Sequence, residues 1–414
     1  MTWLQKAWRG KSALTLVNVL LIAWAVRLPL LINTVSFLFD EAFFVPAARA
    51  IIAGSVDIVP EHPQLVKYII AGSMKLFGDS PLAWRLPSVL AGLAGVWLTY
   101  RIAKKLGLGE KLSLVAALII ALDPLHIAFS RVAMLDVFMV TFSLAGFYVM
   151  IENRIEPRFR WPLAGALFGL AIASKWPAVL SMAGSLAFIF LAGRWKSTGT
   201  KGFLVMLSVA AVTYLLSYVP FVVQHGPQAF IDLQASSVFK HVAMQAHMQT
   251  SPPLGWLLGL GTVWMGWNPP TVAVVAMGNP AIWWPSIIAI FAFFGMWFRS
   301  LLSLTGMGFF RRKVPKLSPA MLFSVIWFVA NWLPWLLLPR AQTFIYYMLP
   351  AVPAYGIAIA AFIKKYPRPW AISAIIAAAT VSFAVFYPVV IGISMPAAYI
   401  DALRWWIGST PPVV

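Results

Sequence analysis

A chain of 414 residues with 61% hydrophobic and only 10% charged side chains cannot be a soluble globule, and its mean hydropathy of +0.84 places it among polytopic membrane proteins. The net charge of +19 is not a nucleic-acid signature, because the cations gather in one alternating set of loops rather than on one patch. The absence of cysteine excludes disulfides and thiol chemistry and leaves the redox compartment open.

Apolar stretches near twenty residues predict about eleven helices, near 13–33, 82–103, 112–122, 134–151, 161–174, 177–193, 202–224, 280–298, 319–338, 342–363 and 370–392. The first run continues into Arg27-Leu28-Pro29 without a small-residue cleavage site, which reads as a first transmembrane helix and not as a removed signal. With the N-terminus inside, the inner loops carry the segments Lys6–Lys11, Arg101–Lys111, Arg154–Arg160, Arg194–Lys201, Arg299–Lys316 and Lys364–Arg368, about two thirds of the 31 basic residues. This is the positive-inside asymmetry, and it predicts a multi-pass cell-membrane protein with a cytoplasmic N-terminus. Among the carboxylates only Glu110, Glu152 and Glu156 fall inside, and all five histidines fall outside. Any chemistry is therefore extracytoplasmic.

Two outer segments are long enough to hold a site. Residues 34–80 contain two short helices, Ala42–Ala53 and Pro63–Phe77. Residues 225–279 begin with an amphipathic stretch, Gln228–Met248. No repeat, low-complexity tract or appended soluble domain interrupts the chain, so residues 1–414 read as one transmembrane domain. The pairs Trp283-Trp284 and Trp405-Trp406 sit where interfacial aromatic belts belong.

Asp40-Glu41 lies where the first apolar run gives way to the outer loop, and His62-Pro63-Gln64-Leu65-Val66-Lys67 follows in that loop. Adjacent carboxylates are costly to desolvate at a membrane boundary. A solvated helix end is the plain reading, and a general base poised at the interface is the functional one. Arg27, Arg85, Arg131, Lys175 and Arg340, with Asp136, fall near the same level. Intramembrane cations pair with carboxylates or face a polar cavity, and this many together suggest an anionic ligand. A phosphate leaving group needs cationic clamps more than a strong acid, unlike a glycosidase with its two complementary carboxylates. No metal motif emerges: His241 and His247 are six apart and not on one helix face.

These segments resemble the dolichyl-phosphate-mannose–protein mannosyltransferases, membrane glycosyltransferases of the GT-C superfamily. Phe39-Asp40-Glu41 follows the first helix, and His62–Lys67 is similar to the family's His-Pro-Pro-Leu-(Gly/Ala)-Lys, with Gln64 and Val66 as departures. Trp84–Ser88, Asp123-Pro124, Phe129–Arg131, Leu135-Asp136, Ser174–Trp176, Gly278–Trp284 and Arg340 with Phe344–Pro350 extend the likeness from about Arg27 to Tyr387. The resemblance implies an all-α GT-C fold and inverting transfer of mannose from a polyprenyl (dolichyl) phosphate to protein Ser or Thr hydroxyls. It makes Asp40 the general base and Glu41 its support. It places Arg27, His62, Lys67, Arg85, Arg131, Asp136, Lys175 and Arg340 as donor-phosphate, substrate or structural contacts. No cofactor is certain; a divalent cation, Mg or Mn, stays open.

The second outer segment has no room for the β-trefoil domain inserted in eukaryotic members, which leaves the acceptor open. A relative that moves a polyprenyl-phosphate sugar onto a lipid or glycan, like the lipid A aminoarabinose transferases, has the same layout. A transporter would instead place acids and helix breaks in two matching halves, and this chain shows neither.

Overall fold

In the computed structural model of the chain, residues 14–29, 31, 37–55, 59, 61–243, 249–268, 270–304, 317–338 and 340–408 are described. The basic segment Lys6–Lys11, the cations Arg311, Arg312, Lys313 and Lys316, and residues 244–248 of the expected amphipathic stretch lie outside them.

Serine, aspartate and proline set many of the helix starts. Ser80 accepts a hydrogen bond from the Ala83 amide and Pro81 opens α4, Pro81–Lys105, after the shorter α1 (Leu16–Ala25), α2 (Glu41–Ile52) and α3 (Leu65–Phe77). Helix α5 (Gly109–Ala121) stops two residues before Asp123, whose carboxylate caps α6 (Pro124–Phe129). Next come α7 (Asp136–Ile151), α8 (Pro157–Ser174), α9 (Ala178–Leu191) and α10 (Trp195–Leu216). The helix predicted over 202–224 breaks at Ser217, and α11 (Val219–Ala243) kinks at Gly226, where φ is 83°. After a two-stranded hairpin follow α12 (Pro280–Leu304), α13 (Pro319–Leu337, capped by Ser318), a 3-10 turn Ile345–Ala351 running into α14 (Val352–Lys365), α15 (Ala371–Ile391) and α16 (Ala397–Ile407).

Among the described residues six helical segments are long and apolar enough to cross a membrane: Pro81–Lys105, Gly199–Leu216, Pro280–Ser300, Pro319–Leu337, Ile345–Lys365 and Ala371–Ile391. Ile345–Lys365 is enclosed on nearly every face and forms the centre of the bundle. Small residues let the helices touch backbone to backbone, as they must where lipid supplies no hydrophobic drive between them. A Cβ at Gly165 of α8 would lie 2.4 Å from the Met206 carbonyl of α10, and one at Gly356 of α14 would lie 2.4 Å from the Ala116 carbonyl of α5.

The two short helices expected over Ala42–Ala53 and Pro63–Phe77 appear almost as predicted, as α2 and α3. The hairpin does not follow from the sequence reading: β1 (Val263–Asn268) pairs antiparallel with β2 (Val272–Ala276), Val263 opposite Ala276, with an irregularity between Trp264 and Gly266. Its bend lets the Gly266 backbone approach Leu38. The two tryptophan pairs expected in aromatic belts each divide. Trp284 and Trp405 are exposed, whereas Trp283 is buried with its indole N–H on Asp123 (2.8 Å), and Trp406 is buried with its N–H on the Gly278 carbonyl (3.2 Å).

Candidate active site

The charges sort to opposite ends of the helices. Helix α4 runs from Ser80, next to α2 and α3, to Lys104 and Lys105, and α7 runs from Asp136 to Glu152. At the Asp136 end opens a cavity of about 650 Å³. Its wall includes Asp40, Glu61, His62, Lys175, Arg340 and Gln342, and aromatic and aliphatic side chains complete the lining, among them Phe39, Trp176, Trp335, Tyr346 and Tyr347. A few convergent polar groups in a mostly apolar hollow are what a small-molecule or lipid headgroup site requires.

Asp40 is the residue ahead of α2, and its side chain is not spent on capping that helix. The preceding residue holds it in place. Phe39 takes the left-handed backbone conformation (φ 51°), rare for an aromatic residue and costly, of order 1–3 kcal/mol. That turn is fixed by the Phe39 amide donating to the Met265 carbonyl of β1 (2.8 Å) and by the Phe39 ring packing edge-on to Tyr346 (6.0 Å). The unforeseen hairpin therefore clamps the loop that carries Asp40. The Asp40 carboxyl is pushed up to about 6, chiefly by burial in the cavity wall; the Lys175 ammonium opposes that shift and the Asp136 carboxylate adds to it.

Lys175 lies where α8 ends, and its ammonium donates to both Asp136 oxygens (2.8 and 2.9 Å). It also sits over the rings of Tyr346 and Tyr347, 5.0 and 5.9 Å from their centroids. Arg340 also stands 5.5 Å over Tyr347. Two cations thus share an aromatic floor that the Phe39 ring of the Asp40 loop also touches. Asp136 reaches the cavity through Lys175.

Glu41 points the other way. It is fully buried and receives Arg85 bidentately (Nε to Oε1 2.8 Å, Nη2 to Oε2 2.6 Å), with the Leu38 and Ala133 amides each donating at 2.9 Å. This knot ties the Asp40 loop to α4 and to the segment after α6. The other predicted cations turn inward as well. Arg27 donates to Ser130 Oγ (2.7 Å), the Ala23 carbonyl (2.7 Å) and His126 Nδ1 (2.8 Å). Arg131 holds the Arg27 carbonyl (2.9 Å) and the Pro29 carbonyl. Lys67 clasps the Val59 and His62 carbonyls (2.7 and 3.0 Å) and so shapes the loop that presents His62, whose ring packs on Phe44 at 5.7 Å.

Of the predicted residues, then, Asp40, His62, Lys175 and Arg340 line the cavity, Asp136 stands behind Lys175, and Glu41, Lys67, Arg27, Arg85 and Arg131 build its supports. Glu61, Trp176, Gln342, Tyr346 and Tyr347 were not among them. The sequence signal for the tyrosines was their place just after Arg340, an aromatic pair beside a cation. Among the described residues no group of three or more histidines and carboxylates comes together in a way that could hold a metal ion.

Two family models match end to end, "Dolichyl-phosphate-mannose-protein mannosyltransferase" over residues 61–223 and "C-terminal four TMM region of protein-O-mannosyltransferase" over residues 227–408. Asp40 and Glu41 lie ahead of the first match. The polyprenol-phosphate-mannose–protein mannosyltransferase of Corynebacterium glutamicum is 22% identical, over 76% of this chain and 75% of its own length. That of Mycolicibacterium smegmatis is 31% identical over 34% of this chain, a match that spans only 33% of the relative's length. Among solved structures, the S. cerevisiae Pmt1-Pmt2 complex bound to the sugar donor superimposes with a TM-score of 0.80 at 14% identity, covering all of this chain and 93% of the other. ArnT from Cupriavidus metallidurans bound to undecaprenyl phosphate gives 0.59 at 17% identity, over 95% of this chain and 68% of its own. The fold is that of the GT-C membrane glycosyltransferases, and the chain belongs to the dolichyl-phosphate-mannose–protein mannosyltransferase family.

Proposed function

We propose that this chain transfers mannose from a polyprenyl-phosphate carrier to Ser or Thr hydroxyls of proteins, with inversion, on the outer side of the cell membrane. The observation that carries the reading is the cavity that sets the Asp40 carboxylate against Lys175 and Arg340. The curated relatives, named for that donor and a protein acceptor, support it, as does the likeness in fold to a protein O-mannosyltransferase bound to its sugar donor.

In this reading the sugar sits between Asp40 and the two cations. Asp40 accepts the proton of the acceptor hydroxyl as its oxygen attacks the anomeric carbon opposite the phosphate. The carbon–phosphate-oxygen bond breaks, and the electron pair leaves on a phosphate already stable as an anion. Lys175 and Arg340 hold that anion, so no acid is needed to protonate it. Asp136 holds the Lys175 ammonium in place through both carboxylate oxygens. Tyr346 and Tyr347 supply apolar faces for sugar or carrier, and the bases of the supporting knot, Glu41–Arg85 and Arg27–Ser130, keep the loops from moving apart. The distribution of cations supports a cytoplasmic N-terminus and an outward-facing cavity.

The test is transfer of radiolabelled mannose from polyprenyl-phosphate mannose to a Ser/Thr-rich peptide by purified protein, beside Asp40→Asn. Peptide labelling that drops about 10²–10⁴-fold in the variant, with donor binding kept, supports the transferase and its base together. Label recovered in a lipid or glycan and not in peptide moves the acceptor to the aminoarabinose-transferase type. Absence of donor binding by the wild-type chain overturns the reading. Chelation with EDTA and add-back of Mg or Mn in the same assay reads whether a divalent cation takes part.

A further inference from the structure

At the end of the bundle opposite Asp40, a second hollow of about 400 Å³ opens between α4 and α7, and the proposed transfer has no use for it. Arg101, Lys104, Lys105 and Arg154 line it with a single carboxylate, Glu152. The acids at this end are already engaged. Burial raises the Glu152 carboxyl, but Lys105 (2.5 Å), the Arg154 amide (3.1 Å) and the Tyr148 hydroxyl (3.0 Å) donate to it and together hold it down at about 2. Glu110 receives Lys104 (2.7 Å) and the Tyr100 hydroxyl (2.6 Å). Neither the Arg101 nor the Arg154 guanidinium has a carboxylate partner among the described residues. Arg101 is nonetheless fixed: it donates to the Tyr148 hydroxyl and lies over the rings of Trp97 and Tyr148, 5.2 and 5.1 Å from their centroids.

Two guanidiniums without counter-charge, one of them held rigidly in a concave wall, ask for an anion. Positive-inside topology alone would leave these cations spread over solvated loops. The mouth of the hollow also has an apolar flank. Leu16 lines it, and Val17, Leu21 and Trp24 of α1 are exposed along one helix face, at 64%, 53% and 47%. A cationic pocket with Leu16 on its wall and the exposed apolar face of α1 beside it matches an anionic amphiphile, not a free ion.

We infer that this hollow binds the phosphate headgroup of an anionic glycerophospholipid, with Arg101 and Arg154 on the phosphate and the acyl chains along the exposed face of α1.

The full chain in nanodiscs or mild detergent, titrated with phosphatidylglycerol or phosphatidylcholine and read by native mass spectrometry, tests this. Phosphatidylglycerol should be retained over phosphatidylcholine, and the double variant Arg101→Gln/Arg154→Gln should bind it about thirtyfold more weakly, the loss for two cations at a membrane surface. Arg154→Gln alone, whose exposed side chain supports no other contact in the described residues, should lose about fivefold and guards against misfolding of the double variant. An equally charged control, Arg158→Gln/Arg299→Gln, should bind like wild type. Equal retention of the two lipids, or a double variant that binds like the control, overturns the site. Displacement of the lipid by millimolar inorganic phosphate or by glycerophosphoglycerol alone also overturns it, since the hollow then takes free phosphate. None of these outcomes depends on mannosyl transfer.

Discussion

Two neighbouring carboxylates, Asp40 and Glu41, have opposite fates because one backbone turn separates their directions. Glu41 satisfies four donors in the interior, while Asp40 faces the cavity and Lys175. A base with its carboxyl near 6 is protonated below that pH, so kcat/KM should climb about tenfold per pH unit up to about pH 6 and level off above it. The neighbours that set this value predict two opposite shifts. Lys175 pulls the Asp40 carboxyl down, so Lys175→Met should move the acid limb to higher pH. Asp136 pushes it up, so Asp136→Asn should move the limb to lower pH. Limbs that stay in place in both variants, measured as complete pH–rate profiles, would detach Asp40 from the proton transfer. Glu41→Gln should act on stability instead. An amide cannot accept from all four donors and leaves Arg85 buried without its counter-charge, a loss of about 3–5 kcal/mol read by chemical unfolding. Unchanged stability with lost turnover would mean that Glu41 works on the substrate.

At the scale of elements, the chain is held by close crossings that composition does not reveal. Gly356→Ala puts a methyl into the Ala116 carbonyl and should cost about 1–3 kcal/mol or spread α14 from α5. Gly295→Ala in α12 meets nothing within 4 Å and should be neutral or slightly stabilising, as helix propensity favours alanine. Equal melting of the two variants would refute the crossing. Helix order and the two short outer helices were legible in the sequence, because apolar run length and Ser-Pro or Gly punctuation are local signals. The hairpin was not: Val263-Trp264-Met265-Gly266-Trp267-Asn268 and Val272–Ala276 lie inside an aromatic, proline-dotted segment whose pairing depends on a turn and on contact with Leu38 and Phe39. The cations were legible as buried charge but not as to partner. Arg27, Arg85 and Arg131 carry the same sequence signal as Lys175 and Arg340, yet the first three are consumed by Ser130, Glu41 and backbone carbonyls up to about a hundred residues away. Trp283 and Trp406 illustrate the same limit, since an interfacial tryptophan and one that fills a core against Asp123 or Gly278 read alike in one dimension.

Over the whole molecule, the two ends of the bundle carry different chemistry, and the sign of that polarity relative to the membrane decides whether the site can meet secreted acceptors. The Asp40 cavity lies at the end where α4 and α7 begin; the Arg101, Lys104, Lys105 and Arg154 cluster lies where they end. Cations resist translocation, so the cluster should remain in the cytoplasm and the cavity should face out. The chain has no cysteine, which makes single-cysteine labelling free of background. Ser55 follows α2 on the cavity side and is exposed, and Arg158 opens α8 at the basic end with 72% of its side chain accessible. In intact cells a membrane-impermeant maleimide should label Ser55→Cys and spare Arg158→Cys, and permeabilisation should make both react. The reverse pattern would place the Asp40 cavity in the cytoplasm and remove protein mannosylation at the outer surface, while leaving the fold and the base intact. Labelling of both in intact cells would mean that residues 55 and 158 share one side, which an odd number of crossings between them forbids. The outcome therefore tests the orientation and the path of α4, α5 and α7 in one measurement.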